Sequence, residues 1–167
     1  SINNLSLNEN DIGEFKTFLK ISPPLRTESD RLSLIQGIKE NLIDVIVSDH
    51  LPEDEESKRL PFAQAATGSI GIETLLPLAL EMYHNESLPL NKIIETITIN
   101  PSKILKINKG TLKEGSDGDI CIFDLDKPWK LDAEKLKSKS KNTAIENRKL
   151  QGKVMMTFLN GELVFSQ

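Results

Sequence analysis

A short apolar run that ends in two polar residues constrains the fold of this chain more than any other feature. Residues 45–50 read Val-Ile-Val-Ser-Asp-His, and a charged loop follows them. Such a run predicts a strand that is covered on both faces, and in α/β barrels the carboxyl ends of buried strands carry the catalytic side chains. Asp49 is therefore the leading catalytic candidate. The alternative is that Asp49 only caps the turn after the strand.

The residues before this run predict a helix. From Thr27 to Glu40 the apolar residues recur at helical spacing, and Thr27 with Asp30 resembles an N-terminal capping box. The run Leu42–Ser48 is then predicted as a strand. A helix followed by a buried strand is the order that a repeating β/α unit produces.

Three further helices are predicted before residue 108. Residues Ile72–Tyr83 have helical spacing, although Pro77 implies a helix start or a kink near that position. A second apolar face follows Pro89, over Leu90–Ile97. Pro101 suits the first turn of another helix, because an N–H group there would lack an intrahelical partner, and that helix should end near Asn108.

Beyond residue 108 the pattern changes to short strands. The predicted strands are Ile120–Leu125, Lys153–Leu159 and Glu162–Phe165. Asn160-Gly161 predicts a tight hairpin between the last two, because both residues tolerate positive φ. The Lys- and Ser-rich run Lys135–Lys141 is interpreted as a solvated loop with no binding role. We therefore divide the chain into residues 1–108 and a small β module, residues 109–167.

Composition limits the classes of function. The chain has 167 residues with 38% hydrophobic content, whereas a complete eight-unit barrel needs roughly 250 residues, so missing N-terminal units are expected. The net charge is -4, which does not favour nucleic acid as a partner. The mean hydropathy of -0.30 does not favour insertion in a membrane. The single cysteine, Cys121, fits a cytoplasmic setting.

Several ordered motifs resemble the C-terminal part of dihydroorotases, which belong to the amidohydrolase superfamily. In chain order the motifs are Ser22-Pro23-Pro24-Leu25-Arg26, Ser48-Asp49-His50, Leu60-Pro61-Phe62 and Gly68-Ser69-Ile70-Gly71-Ile72-Glu73-Thr74. The later Gly110-Thr111-Leu112 and Asp117-Gly118-Asp119-Ile120 resemble the start of the small β domain that amidohydrolases carry beside the barrel. The resemblance implies an α/β fold, namely the C-terminal units of a (β/α)8 metal-dependent hydrolase barrel plus a small β domain.

The resemblance also implies an activity and a cofactor. Dihydroorotases interconvert carbamoyl aspartate and dihydroorotate, a small-molecule reaction of pyrimidine biosynthesis in which a cyclic amide opens or closes. A divalent metal, with zinc expected, polarises the carbonyl and activates water in such enzymes. By resemblance Asp49 is both a metal ligand and the general base. A carboxylate suits this role because it can be ionised beside a cation and protonated in the transition state.

Five positions depart from the family pattern. Asn3-Asn4-Leu5 stands where the family has a His pair followed by Leu, so Asn4 aligns with a metal-ligand His, and an amide oxygen is a weaker ligand for zinc-like ions. The substrate-binding positions by resemblance are Ser22, Glu53, Thr67 and Gly68. Ser22 replaces a family Asn, Glu53 replaces a His that reaches the substrate, and Thr67 replaces a Phe.

The chain has only two histidines, His50 and His84, so a His-rich metal centre cannot be built from it alone. Three interpretations remain open. The chain belongs to a working dihydroorotase with a reduced metal site, to a silent dihydroorotase-like subunit that supports aspartate carbamoyltransferase, or to an amidohydrolase that acts on another cyclic amide. Exposed sheet edges further predict that the protein forms homo-oligomers.

Overall fold

The computed structural model describes residues 1–167 and contains six α-helices, three strands and three short 3₁₀ segments. The helices are α1 (Ile2–Ser6), α2 (Glu28–Lys39), α3 (Glu55–Lys58), α4 (Leu75–His84), α5 (Leu90–Ile97) and α6 (Ile99–Leu105). The strands are β1 (Ile120–Lys130), β2 (Lys149–Leu159) and β3 (Glu162–Ser166). The 3₁₀ segments are Glu9–Ile12, Thr17–Leu19 and Ala133–Lys135. No helix has the length and apolar character needed to cross a membrane.

The helix predicted from Thr27 is confirmed. Thr27 caps α2, its hydroxyl accepts a hydrogen bond from the backbone N–H of Asp30, and the Asp30 carboxylate accepts one from the N–H of Thr27. The helix predicted over Leu90–Ile97 is confirmed as α5, and the other two are confirmed with shifted ends. Helix α4 begins two residues before Pro77, and α6 begins two residues before Pro101, so each proline lies within the first turn, where its missing N–H costs no hydrogen bond.

The strand predicted over Leu42–Ser48 is wrong. These residues are not part of a sheet, and scattered hydrogen bonds join them to the fold, for example from Ile2 N to Val47 O (2.9 Å) and from Ile46 N to Thr96 O (3.1 Å). A regular strand needs a neighbouring strand that pairs along its length. Here the pairing is limited to one parallel bridge between His50 and Ser69.

The three strands form one antiparallel sheet in the order β1-β2-β3. The hairpin predicted at Asn160-Gly161 is confirmed, with φ values of 51° and 82°. Strands β1 and β2 are longer than predicted, since β1 continues to Lys130 and β2 begins at Lys149.

One hydrophobic core joins the helical part and the sheet. It contains 17 buried residues, which include Ile2 of α1, Ile38 of α2, Leu78 of α4 and Leu150 of β2. The hydrophobic packing is continuous across residue 108. The division of the chain into two parts at this residue therefore stays a prediction. The core includes Ile46, in the segment that precedes Asp49.

Candidate functional site

Asp49 lies at the end of the extended segment and is exposed. Its φ is 50°, in the left-handed region that Asp tolerates better than most residues. The chain turns sharply at this point, which leaves the carboxylate at the surface rather than in the core. Asp49 is therefore available to a substrate or to a neighbouring part of the protein.

The Gly-x-x-Gly motif fixes the backbone on which Asp49 sits. A Cβ at Gly71 would lie 2.3 Å from the carbonyl oxygen of Ser48, so only glycine allows this approach. Leu51 N donates to Ser69 O at 2.9 Å, on the other side of Asp49. The motif thus contacts Ser48 and bonds Leu51, one on each side of the candidate base.

His50 has a different role from its neighbour Asp49. Its Nδ1 accepts hydrogen bonds from the backbone N–H groups of Gly71 (3.1 Å) and Ile72 (3.4 Å). This ring nitrogen is occupied by the backbone and cannot ligate a metal at the same time. His50 therefore anchors the loop after Gly68.

Asn4, the predicted metal ligand, is buried and fully engaged. Its side-chain N–H group donates to the carbonyl oxygens of Pro23 (3.2 Å) and Pro24 (3.1 Å), and its Oδ1 accepts from the Ser1 hydroxyl at 2.8 Å. The amide thus joins α1 to the Pro-Pro loop. Ser22, which precedes this loop, is exposed.

Residues Ser1 and Ile2 connect the two predicted ligand positions. The backbone N–H of Ile2 donates to Val47 O at 2.9 Å, two residues before Asp49. Since the Ser1 hydroxyl bonds Asn4, the structure brings the segment that ends in Asp49, the Asn4 side chain and the Pro-Pro loop to one region. Their roles as metal ligands stay predictions.

Glu53 is held by a residue that the sequence analysis missed. Asn142 is only 1% exposed; its side chain accepts from Glu53 N (3.2 Å) and donates to Leu51 O (3.1 Å). The Ser140 hydroxyl also donates to Glu53 O. The loop predicted to be merely solvated therefore supports the backbone after Asp49.

A second missed residue, Lys58, supports Thr67 and Gly68. Its side chain is completely buried, although it was not distinguished from other lysines in the sequence. The ammonium donates to the carbonyl oxygens of Lys20 (3.1 Å), Ala66 (2.9 Å) and Gly68 (2.9 Å). Burial lowers its pKa to about 8; the Lys20 charge adds to that shift and the Glu53 charge opposes it.

The residues of this chain do not form a metal site by themselves. No group of three or more His, Cys, Asp or Glu side chains has a geometry that could hold a metal ion. Asp49 offers one free carboxylate, while the Asn4 amide is already bonded on both sides. The second histidine, His84, ends α4, and its buried Nε2 has no hydrogen-bond partner.

Comparisons with known proteins agree with the motif order. The model of the amidohydrolase family matches residues 8–164. The dihydroorotase of Ehrlichia chaffeensis is 44% identical over 160 residues, which cover 96% of this chain and 36% of that protein. The dihydroorotase of Aquifex aeolicus is 42% identical over 163 residues, which cover 98% of this chain and 38% of that protein.

The fold is similar to that of a solved hydantoinase. The L-hydantoinase (dihydropyrimidinase) from Arthrobacter aurescens has a TM-score of 0.90 and 30% sequence identity, covering 99% of this chain and 38% of that one. The chain thus spans a little over a third of the length of these relatives. With the family model matching nearly the whole sequence, the chain belongs to the amidohydrolase family and resembles its dihydroorotases.

Proposed function

We propose that this chain is part of a dihydroorotase-like cyclic amide hydrolase, which interconverts carbamoyl aspartate and dihydroorotate. The support is the identity of 36–44% to proteins named dihydroorotase over at least 90% of the chain. Because the chain spans only 36–38% of those relatives, the activity of the whole protein is the proposal. The same proposal assigns residues 1–108 to the C-terminal units of a (β/α)8 barrel and residues 109–167 to the small β domain.

The observation that carries this proposal is the placement of Asp49, an exposed carboxylate on a backbone fixed on both sides. In ring opening, the oxygen of water adds to the ring carbonyl carbon, and the bond from that carbon to the ring nitrogen breaks. Asp49 takes the proton from the attacking water and passes it to the departing nitrogen. In ring closure the same proton moves in the opposite direction.

The metal that the family implies does not fit the residues of this chain alone. A zinc site needs several protein ligands, and this chain offers the Asp49 carboxylate and, by alignment, the already bonded Asn4 amide. When bound, a metal would polarise the carbonyl and lower the pKa of water. Zinc remains an expectation.

The substrate is proposed to meet Ser22, Glu53, Thr67 and Gly68. Glu53 is unfavourable for a substrate that carries carboxylates, because like charges repel strongly in a site of low dielectric. Lys58 lies close enough to offset part of this charge, because the Glu53 carboxylate opposes the lowering of the Lys58 pKa. We expect the loop that contains Thr67 and Gly68 to contact the polar edge of the ring.

A cytoplasmic setting and assembly into homo-oligomers are part of the same proposal. Support of an aspartate carbamoyltransferase by a silent subunit is the competing function, and the enzyme assay decides between the two. An amidohydrolase acting on a different cyclic amide would open a ring that lacks the carboxylate of dihydroorotate.

The test is an assay of the full-length protein that contains this chain, with its metal content measured on the same sample. Asp49→Asn should lower kcat/KM by about 10²- to 10⁴-fold, the range for loss of a general base. The control is Asp44→Asn, an exposed aspartate on the same extended segment, which should leave turnover unchanged. Absence of turnover and of metal in the unaltered protein would contradict the proposal and favour the silent subunit.

A further inference from the structure

Two lysine side chains converge on the backbone that carries two of the proposed substrate residues. The Lys58 ammonium contacts the carbonyl oxygens of Ala66 and Gly68, which lie on either side of Thr67. The Lys20 ammonium contacts those of Ala63 (3.0 Å) and Ala65 (2.8 Å). Together the two ammonium groups bind four carbonyl oxygens within six consecutive residues, which we call the 63–68 loop.

The third partner of Lys58 ties this loop to the segment that ends in Ser22. The Lys58 ammonium donates to the carbonyl oxygen of Lys20 at 3.1 Å, and the same oxygen accepts from the backbone N–H of Gly68 at 3.0 Å. Gly68 has a φ of +151° and lies against Leu51, where a Cβ would come within 2.9 Å. The position of the 63–68 loop is therefore set from both sides.

A fully buried lysine is unusual, because removing an ammonium from water costs several kcal/mol unless its donors are satisfied. Lys58 places all three N–H donors on carbonyl oxygens but has no carboxylate within salt-bridge distance. A hydrophobic side chain of similar size would fill the same volume without that cost. We therefore attribute to the charge and the three donors a role in holding the backbone carbonyl groups that they bind.

We propose that Lys58 is a positioning residue, which fixes the backbone of Ala66–Gly68 and so sets the orientation in which Thr67 and Gly68 meet the substrate. The inference rests on the proposed function, since it assigns Lys58 a part in substrate binding. Lys58 acts through the loop and does not contact the reacting atoms. Lys20 secures the preceding half of the same loop.

The charge state of Lys58 supports this role. Its pKa is lowered to about 8, so above that pH the group becomes an amine with two donors for three carbonyl oxygens. The charged groups that act on it are Glu53, which favours the ammonium form, and Lys20, which disfavours it. Loss of the proton should loosen the 63–68 loop.

Global unfolding would not explain a fall in kcat/KM above about pH 8. The pKa of Lys58 in the folded state is below the 10.5 of an unperturbed lysine, so unfolding takes up a proton between these values. This group therefore makes the free energy of unfolding rise with pH from about 8 to 10.5. A fall in kcat/KM over the same range would come from the loop and not from loss of the fold.

The experiment measures kcat and KM for dihydroorotate from pH 6 to pH 10 in the full-length protein. Lys58→Met should raise KM by about tenfold or more with a much smaller effect on kcat, and kcat/KM should no longer fall above about pH 8. Lys20→Met, which removes a less buried side chain, should shift the alkaline fall of kcat/KM to higher pH, because the neighbouring positive charge is gone. Lys113→Met, an exposed lysine outside the loop, should behave as the unaltered protein.

The outcomes separate this inference from the proposed function. An unaltered protein with no turnover would overturn both. Suppose that the unaltered protein is active but the Lys58→Met variant keeps the same KM and the same fall in kcat/KM at alkaline pH. This result would overturn only the role of Lys58. If Lys58→Met does not fold, Lys20→Met decides alone: an unshifted alkaline fall overturns the inference, and a shifted one supports it.

Discussion

At the scale of single residues, Gly71 is the most sensitive position near Asp49. A side chain at Gly71 must displace the Ser48 carbonyl, because the added Cβ would lie 2.3 Å from that oxygen and backbone cannot rotate away as a side chain can. We expect Gly71→Ala to lower kcat/KM of the full-length protein by about tenfold or more, since small misplacements of a catalytic group are costly. Steady-state kinetics check this expectation.

The matched control is Gly37→Ala. Gly37 is also buried, but the atom nearest to an added Cβ is the end of the Ile43 side chain, at 3.1 Å. That flexible atom can move, and alanine favours helix α2 by about 1 kcal/mol over glycine. Turnover should be unchanged in the control. Equal effects of the two substitutions would show that the contact with Ser48 is not what matters at Gly71.

The sequence predicts some of these residues and not others. Asp49 was identified because it follows an apolar run, which is a local pattern. Lys58 and Asn142 could not be identified in this way, because their partners are distant in the chain: Lys58 bonds Lys20, and Asn142 bonds Leu51. Backbone carbonyl groups have no residue identity, so contacts with them leave no signature in the sequence.

At the scale of elements, helix α2 and the hairpin were predictable because their signals are local. Thr27 with Asp30 defines a cap, and Asn160-Gly161 defines a turn. The segment Leu42–Ser48 was predicted as a strand and forms no sheet, because a strand depends on a partner that local sequence does not contain. Its β-branched apolar residues are nevertheless of the type that is common in strands.

The packing of α1 against α4 depends on a polar contact. The Ser6 hydroxyl donates to the Glu81 carboxylate at 2.6 Å, and Arg148 donates to the same oxygen at 2.9 Å. Burial raises the pKa of Glu81, and these two partners oppose the shift. We expect Ser6→Ala to lower the free energy of unfolding by about 1.5–3 kcal/mol at pH 7, the range for a hydrogen bond to a charged group.

The pH dependence follows from the same contact. Burial raises the pKa of Glu81, and the Ser6 hydrogen bond opposes this shift because it stabilises the ionised carboxylate. The cost of Ser6→Ala should therefore shrink as acid protonates Glu81. Urea denaturation of the full-length protein at two pH values measures this cost. Ser33→Ala is the control, because that hydroxyl bonds only the backbone of its own helix at the surface. A pH-independent cost would contradict the role of Glu81.

At the scale of the whole molecule, the chain exposes more surface than a compact domain of its size. Its accessible surface is 10217 Å², whereas a folded monomer of 18.7 kDa is expected to expose about 8,300 Å². Large apolar side chains account for part of the excess. The sheet contributes Ile120, Ile122, Met156, Leu159, Leu163, Val164 and Phe165, each at least 39% exposed.

Strand β3 concentrates this exposure at a sheet edge. It is one of the two edge strands of the sheet, beside β1 at the opposite edge, and it is the one in which every residue is exposed; its outer backbone N–H and C=O groups have no neighbouring strand. An apolar edge of this kind pairs readily with another chain. We therefore expect the 167-residue chain, expressed alone, to self-associate through β3, as sedimentation velocity at several concentrations would show.

A charge placed on β3 distinguishes edge pairing through this strand from non-specific association of apolar surface. Val164→Lys should shift the chain toward monomer, because a lysine on an edge strand must be desolvated when two edges pair. Leu112→Lys places the same charge at a more exposed apolar residue outside the sheet, 82% exposed against 57% for Val164, and should leave association unchanged. Equal effects of the two substitutions would assign the association to apolar surface in general. An unaltered chain that is monodisperse and melts cooperatively as a monomer would show that the exposed edge is tolerated.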